Sequence, residues 1–151
     1  MKKNMLLFCL SLTLYSLTTQ AQIRKIPATV TESFEKNYPD ATNVEWRDKL
    51  SHFTATFTND GKQMLAQFES DGAWILSETT FAIANIPSEV KDGFDKSKYA
   101  NWSIQKVVLV QSNDGKEKEV YYRILVRKNS INKKYLRFDT NGRLLKETLT
   151  L

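Results

Sequence analysis

The sequence predicts an α+β protein: a tandem repeat of a helix plus a four-stranded antiparallel meander, with the helices covering one sheet face. Three observations predict it. Blocks of residues recur along the chain, helical spacing of apolar residues opens each block, and period-two alternation broken by Asp-Gly and Asn-Gly turns follows. Ile26-Pro27, Val30 and Phe34 return as Ile86-Pro87, Val90 and Phe94. FESDG at Phe68–Gly72 returns as FDTNG at Phe138–Gly142, with the polar stretch Gln111–Glu119 as the place where the second block is longer.

Each block opens with a helix signal. Pro27 and Pro87 suit the first helical position, where a missing N–H costs little. Ile26, Val30, Phe34 and Tyr38 recur at every fourth residue and form one apolar stripe, and Ile86, Val90 and Phe94 form a second. Pro39 disfavours helical geometry for the residue before it, so the first helix should stop near Tyr38. Gly93 weakens the second helix by about 1 kcal/mol relative to Ala, a loss that packing must offset.

Strands follow. Asn43 to Asp48 leads, then Phe53, Ala55 and Phe57 alternate with polar residues up to the hairpin signal Asn59-Asp60-Gly61-Lys62. Met64, Ala66 and Phe68 alternate next, Ser70-Asp71-Gly72 turns, and Ala73 to Thr80 supplies a fourth strand. The second block reads Trp102–Gln111, Glu119–Arg127, Lys133–Phe138 and Arg143–Leu149, with turns at Asn113-Asp114-Gly115 and Asn141-Gly142. The expected organisation is a leader over 1–21, a first α-β4 repeat over 22–84 and a second over 85–151, the two forming one compact unit.

The leader reads as a secretory signal peptide. Lys2 and Lys3 precede an apolar run from Met5 to Leu17, and Thr19-Gln20-Ala21 offers a small-residue cleavage site. The run falls short of the roughly 20 residues that span a bilayer. No second long apolar run follows, so the expected product is periplasmic or secreted, with no membrane insertion after cleavage. The only cysteine, Cys9, lies in the leader, which leaves no disulfide, thiol nucleophile or cysteine metal site afterwards.

Composition and motifs narrow the chemistry. The chain of 151 residues holds 22 Lys and Arg against 17 Asp and Glu, a net charge of +5. That balance is ordinary for a folded protein. The positive charge gathers late, through Arg123, Arg127, Lys128, Lys133, Lys134, Arg137, Arg143 and Lys146. An anionic partner or a lysine-protected sheet edge would each explain it, and export argues against nucleic acid. His52 is the sole histidine and lacks neighbouring ligands at metal-site spacing. NDGK, SDG and NDGKEKE lack the alternating acids and distal Glu of a calcium loop and read as turns. No nucleophile elbow, phosphate loop or zinc-protease motif occurs. The expectation is no cofactor, no metal and no enzyme.

An antiparallel sheet covered by helices on one side leaves its other face to solvent. Alternation places Tyr121, Arg123 and Arg127 on that face, with Tyr135 and Arg137 beside them. Trp74 joins them by parity, because it aligns with Leu144 and so with Lys146. Trp, Tyr and Arg are the residue types enriched in binding hot spots.

Two stretches, IPATVTESFEKNYPDATNVEW and FTATFTNDGKQMLAQFESDGAWILSET, resemble the PepSY-like family of small exported bacterial proteins, also described as β-lactamase-inhibitor-protein-like. The shared features are the Pro27-started helix, Tyr38-Pro39-Asp40-Ala41, Val44-Glu45-Trp46, the Asn59–Lys62 hairpin and Phe68–Gly72 ahead of Trp74. The second block departs from them, with Lys98-Tyr99-Ala100 and Trp102-Ser103-Ile104 at the matching places. The resemblance implies tandem α/β units whose strands can join into one curved sheet, with helices on one side, and a periplasmic or extracellular location. It carries over no contact residue. The expected function is an exported, noncatalytic protein-binding module. Its partner is an unknown envelope or extracellular protein, with occlusion of a hydrolase as one outcome. The alternative is a periplasmic carrier of a small anion or lipid.

Overall fold

The computed structural model describes residues 25–113 and 117–150. The expected signal peptide lies outside the described residues, as does part of the Gln111–Glu119 stretch.

Helix α1 covers Ala28–Asn37 and α2 covers Ser88–Asp95. Each follows a proline with extended ψ, Pro27 or Pro87. Tyr38 leaves helical geometry ahead of Pro39 while its amide still donates to the Phe34 carbonyl at 2.9 Å. Val30 and Phe34 of α1 are buried, as are Val90 and Phe94 of α2. The apolar stripes read from the sequence are therefore the buried stripes.

Eight strands make up the rest of the described elements beside one short 3-10 turn: β1 Thr42–Lys49, β2 His52–Asn59, β3 Lys62–Phe68, β4 Trp74–Phe81, β5 Ser103–Asn113, β6 Lys118–Arg127, β7 Lys133–Phe138 and β8 Leu144–Leu149. Asp60 and Gly61 both adopt positive φ, 49° and 71°, the geometry of a tight hairpin between β2 and β3.

The pairing corrects the expected fold class. The strands do not form a tandem pair of four-stranded meanders. They form one antiparallel sheet in the order β1-β2-β3-β4-β5-β6-β7-β8, with only two short helices. The joint is β4 with β5, paired continuously from Leu76↔Ser112 to Phe81↔Val107. Separate meanders would leave the backbone edges of β4 and β5 unpaired, and joining them satisfies both. The run Val107-Val108-Leu109-Val110 in β5 suits this central place. Val107, Val108 and Val110 are buried although they alternate between the two faces.

The helix-side face carries two apolar clusters. Val30, Phe34, Phe53, Ala55, Phe57, Ala66 and Phe68 form one, and Phe34 meets Phe57 edge-on with ring centroids 4.9 Å apart. Val90, Phe94, Tyr99, Val107, Ile124, Val126, Leu136 and Phe138 belong to the other. Glycines set how closely the helices approach the sheet. A Cβ on Gly72 would lie 2.5 Å from the Thr29 carbonyl oxygen. A Cβ on Gly142 would lie 2.0 Å from the Glu89 carbonyl oxygen, and one on Gly93 would lie 1.8 Å from the Gly142 carbonyl oxygen. The helix-weakening Gly93 is thus explained by a backbone-to-backbone contact that no side chain would permit.

Candidate functional site

Cross-strand partners share a face, so register decides what the open side presents. On β6 and β7, Tyr122↔Phe138 and Ile124↔Leu136 face the helices, while Arg123↔Arg137 and Leu125↔Tyr135 face away. β8 adds Lys146 opposite Arg137 and Thr148 opposite Tyr135. On β5, Val108 pairs with Arg123 and Val110 with Tyr121, which sets two buried valines beside the polar groups on the same face.

Four of the six residues singled out from the sequence come together here. Tyr121, Arg123, Tyr135 and Arg137 line one shallow cavity of about 180 Å³ with Lys146 and Thr148. The arginines and tyrosines interleave. The Arg137 guanidinium lies 3.7 Å from the Tyr121 ring centroid, and that of Arg123 lies 5.4 Å from the Tyr135 ring centroid. Cation–π contacts of this kind are worth about 0.5–2 kcal/mol and fix the guanidinium planes.

Two carboxylates that sequence reasoning missed complete the arrangement. Arg123 Nη2 donates to Glu78 Oε1 of β4 at 2.5 Å, and Arg137 Nη2 donates to Glu119 Oε2 of β6 at 2.8 Å. Like charges directly opposite one another repel, so the Arg123↔Arg137 pair needs such counter-charges. The Glu78 side chain is largely buried, at 14% exposure, and Glu119 is open to solvent at 46%. The Nε atoms of both arginines are buried without a hydrogen-bond partner among the described residues.

Arg127 lies on the same face but at the far end of β6, opposite Lys133 and exposed, outside the cluster. Trp74 is elsewhere. It pairs with Phe68 and packs on the α1 side, against the Val30/Phe34/Phe68 cluster. The outward placement of Trp74 is therefore corrected, and a β-bulge is the reason. Register shifts between Gln67 and Phe68, so Phe68 pairs with Trp74 while Gln67 pairs with Leu76. One extra residue puts Trp74 and Leu76 on opposite faces despite their even spacing. The same shift recurs between Arg137 and Phe138, where Leu144 turns inward and Lys146 outward.

The remaining candidates resolve locally. His52 starts β2, and its Nδ1 shares a 3.0 Å hydrogen bond with the Ser51 hydroxyl. No group of three or more His, Cys, Asp or Glu that could hold a metal occurs among the described residues. A polar cluster does form on the helix side of the C-terminal half. The Tyr99 hydroxyl donates to Glu147, and Lys98 and Lys134 pair with the same carboxylate at 2.9 and 3.2 Å. The hydrogen bond from Tyr99, then those from the two lysines, pull the Glu147 carboxyl down to about 2. A groove of about 470 Å³ opens between the β2–β3 hairpin and the turn after β4, lined by Lys62, Gln63, Thr80, Phe81 and Asn85 among others.

The protein is thus an α+β protein built on one eight-stranded antiparallel sheet, with helices on one face and an aromatic, arginine-rich patch on the other. Residues 51–146 match the family model described as "Putative beta-lactamase-inhibitor-like, PepSY-like", and the chain belongs to that family. Solved structures agree in fold. A BLIP-like protein from Bacteroides fragilis is 26% identical with a TM-score of 0.76, over 84% of this chain and 88% of that one. A DUF2874 family protein from Bacteroides ovatus is 26% identical with a TM-score of 0.75, over 83% of this chain and 89% of that one. A protein from Bacteroides eggerthii, described as "putative periplasmic", is 24% identical with a TM-score of 0.74, over 83% of this chain and 90% of that one. No curated protein matches the chain. No helix among the described residues is long and apolar enough to cross a membrane.

Proposed function

We propose that the protein is an exported, noncatalytic binding module that engages an envelope or extracellular protein through the open face of β5–β8. The carrying observation is the interleaved Tyr121–Arg137 and Arg123–Tyr135 stack, flanked by buried valines of β5. Aromatic and guanidinium groups held against one another are the composition of a binding hot spot. They contribute area and directional donors at low entropic cost. The beta-lactamase-inhibitor-like family and the periplasmic description of one structural neighbour support the same reading. Occlusion of a hydrolase is the form of action we favour: the partner's surface covers the patch, and substrate loses access.

Affinity capture from the envelope fraction of the producing cell tests it, with the chain from Gln22 onward as bait and a Tyr121→Ala/Tyr135→Ala variant as control. A protein recovered by the unmodified bait alone supports the reading. Equal recovery by both baits, or recovery of none, contradicts it. Purified partner is then assayed for hydrolase activity with and without the module.

The carrier reading has one observation of its own, the open groove lined by Lys62 and Phe81. Extraction of a bound small molecule from purified protein would favour it, and loss of that molecule in Phe81→Ala would assign it to the groove.

A further inference from the structure

Three cations cross the open face in a single row. Arg123 of β6 stands opposite Arg137 of β7, and Arg137 stands opposite Lys146 of β8. Adjacent strands lie about 4.8 Å apart, so the row is a ladder of positive charge at strand spacing. Two of its members have internal counter-charges, Glu78 on Arg123 and Glu119 on Arg137. Lys146 has no ion pair among the described residues, and it lines the cavity with the two arginines. Lys106, beside Leu125, and the Arg127↔Lys133 pair extend the excess of positive charge along the same face.

The row is also underused as a set of donors. A guanidinium carries five N–H groups in a planar fork suited to carboxylates. The Nε–H of Arg123 and of Arg137 is buried and unpartnered. The two ion pairs use only Nη2 of each guanidinium, so other N–H groups of each fork remain for an incoming carboxylate. The aromatic stacks hold both forks in place, which lowers the entropy lost when an acceptor arrives. The N-terminal half of this face shows the contrast. There Glu45 and Arg47 stand opposite Thr56 and Thr54, mixed in sign and beside threonines.

We infer that the Arg123–Arg137–Lys146 row recognises carboxylates, and that its occupant is an acidic segment of a partner protein whose Asp or Glu side chains meet the row while a flanking apolar side chain rests on the exposed Tyr135 ring. The inference rests on the open-face reading above and names the chemistry of its partner. Glu78 and Glu119 hold the arginines in the free protein. The solvent-open Glu119 is the one an incoming carboxylate displaces.

Fluorescence anisotropy tests it with a labelled decapeptide of Asp, Glu and Leu and a matched peptide carrying Asn and Gln in place of the acids. The acidic peptide should bind, and the amide peptide should bind at least about tenfold more weakly. Arg137→Gln/Lys146→Gln should weaken the acidic peptide by a similar factor, whereas Glu119→Gln should tighten it. Lys91→Gln, on the exposed side of α2, controls for net charge and should change nothing. Equal binding of the two peptides, binding of neither, or binding indifferent to Arg137→Gln/Lys146→Gln overturns the inference. Complete displacement by millimolar inorganic phosphate also overturns it and reassigns the row to a small anion. If capture still depends on Tyr121 and Tyr135 while neither peptide binds, the binding-module reading stands and only the acidic partner falls.

Discussion

The two faces of β6–β8 are built from alternating residues of the same strands, yet they differ in what they are optimised to do. Ile124, Val126, Leu136 and Phe138 point toward α2 and are buried. Arg123, Tyr135 and Arg137 point the other way, with charged groups stacked on rings and donors left unpaired. A face under selection only for folding would satisfy its polar groups or replace them with apolar ones. On β6–β8 the helix-facing positions are apolar and the open face keeps its charges, while on β4 the helix side carries one buried polar atom without a partner among the described residues, Trp74 Nε1. Stability should therefore follow the helix face and binding the open face, and substitutions can separate them.

The largest effect should come from the helix face itself. Phe138→Ala removes a fully buried ring and should cost about 3–5 kcal/mol in urea unfolding. Gly142→Ala comes next. It places a Cβ 2.0 Å from the Glu89 carbonyl oxygen at a φ of 83°, so α2 must move away, at about 2–3 kcal/mol. Gly61→Ala gives the matched comparison. Its φ of 71° is similar but nothing lies within 4 Å, so only about 1 kcal/mol of backbone strain should appear. Equal losses at the two glycines would mean that the close helix approach is unimportant.

Trp74→Ala sharpens the division between faces. Its ring packs with the Phe68 cluster, so it should destabilise by about 2 kcal/mol and leave open-face binding intact. Acid should act on the helix face as well. Glu147 has its pKa lowered to about 2 by Tyr99, Lys98 and Lys134. A carboxylate depressed in the folded state contributes stability that is full above its ordinary value near 4.5 and fades as pH falls toward 2. Denaturation midpoints for the wild type should fall across that window, and Glu147→Gln should flatten the slope. The smallest stability change belongs to Tyr135→Ala, within about 0.5–1 kcal/mol, because its ring is already exposed.

Strand positions were legible from residues because alternation and Asp-Gly or Asn-Gly turns are local signals. β7 begins and ends where the Lys133–Phe138 alternation does. Two things were not local. The pairing of β4 with β5 crosses a segment that contains α2, so no hairpin sequence announces it, although the doubly buried Val107–Val110 run is the trace it leaves. The bulges at Phe68 and Phe138 shift parity by one residue without any special residue type, which hid the inward turn of Trp74. Within the site, the aromatic and basic members stood out by type. Glu78 and Glu119 did not, because their role depends on cross-strand neighbours: Glu78 comes from β4 and Glu119 pairs across to β7.

The most direct measurement is a titration of the captured envelope protein against three forms of the module: wild type, Tyr121→Ala/Tyr135→Ala and Trp74→Ala, each at a temperature where it is folded. An open-face binding module predicts at least about a tenfold loss of affinity for the tyrosine pair and wild-type affinity for Trp74→Ala. Wild-type affinity in the tyrosine pair with a loss in Trp74→Ala would place the interface on the helix side and contradict the account.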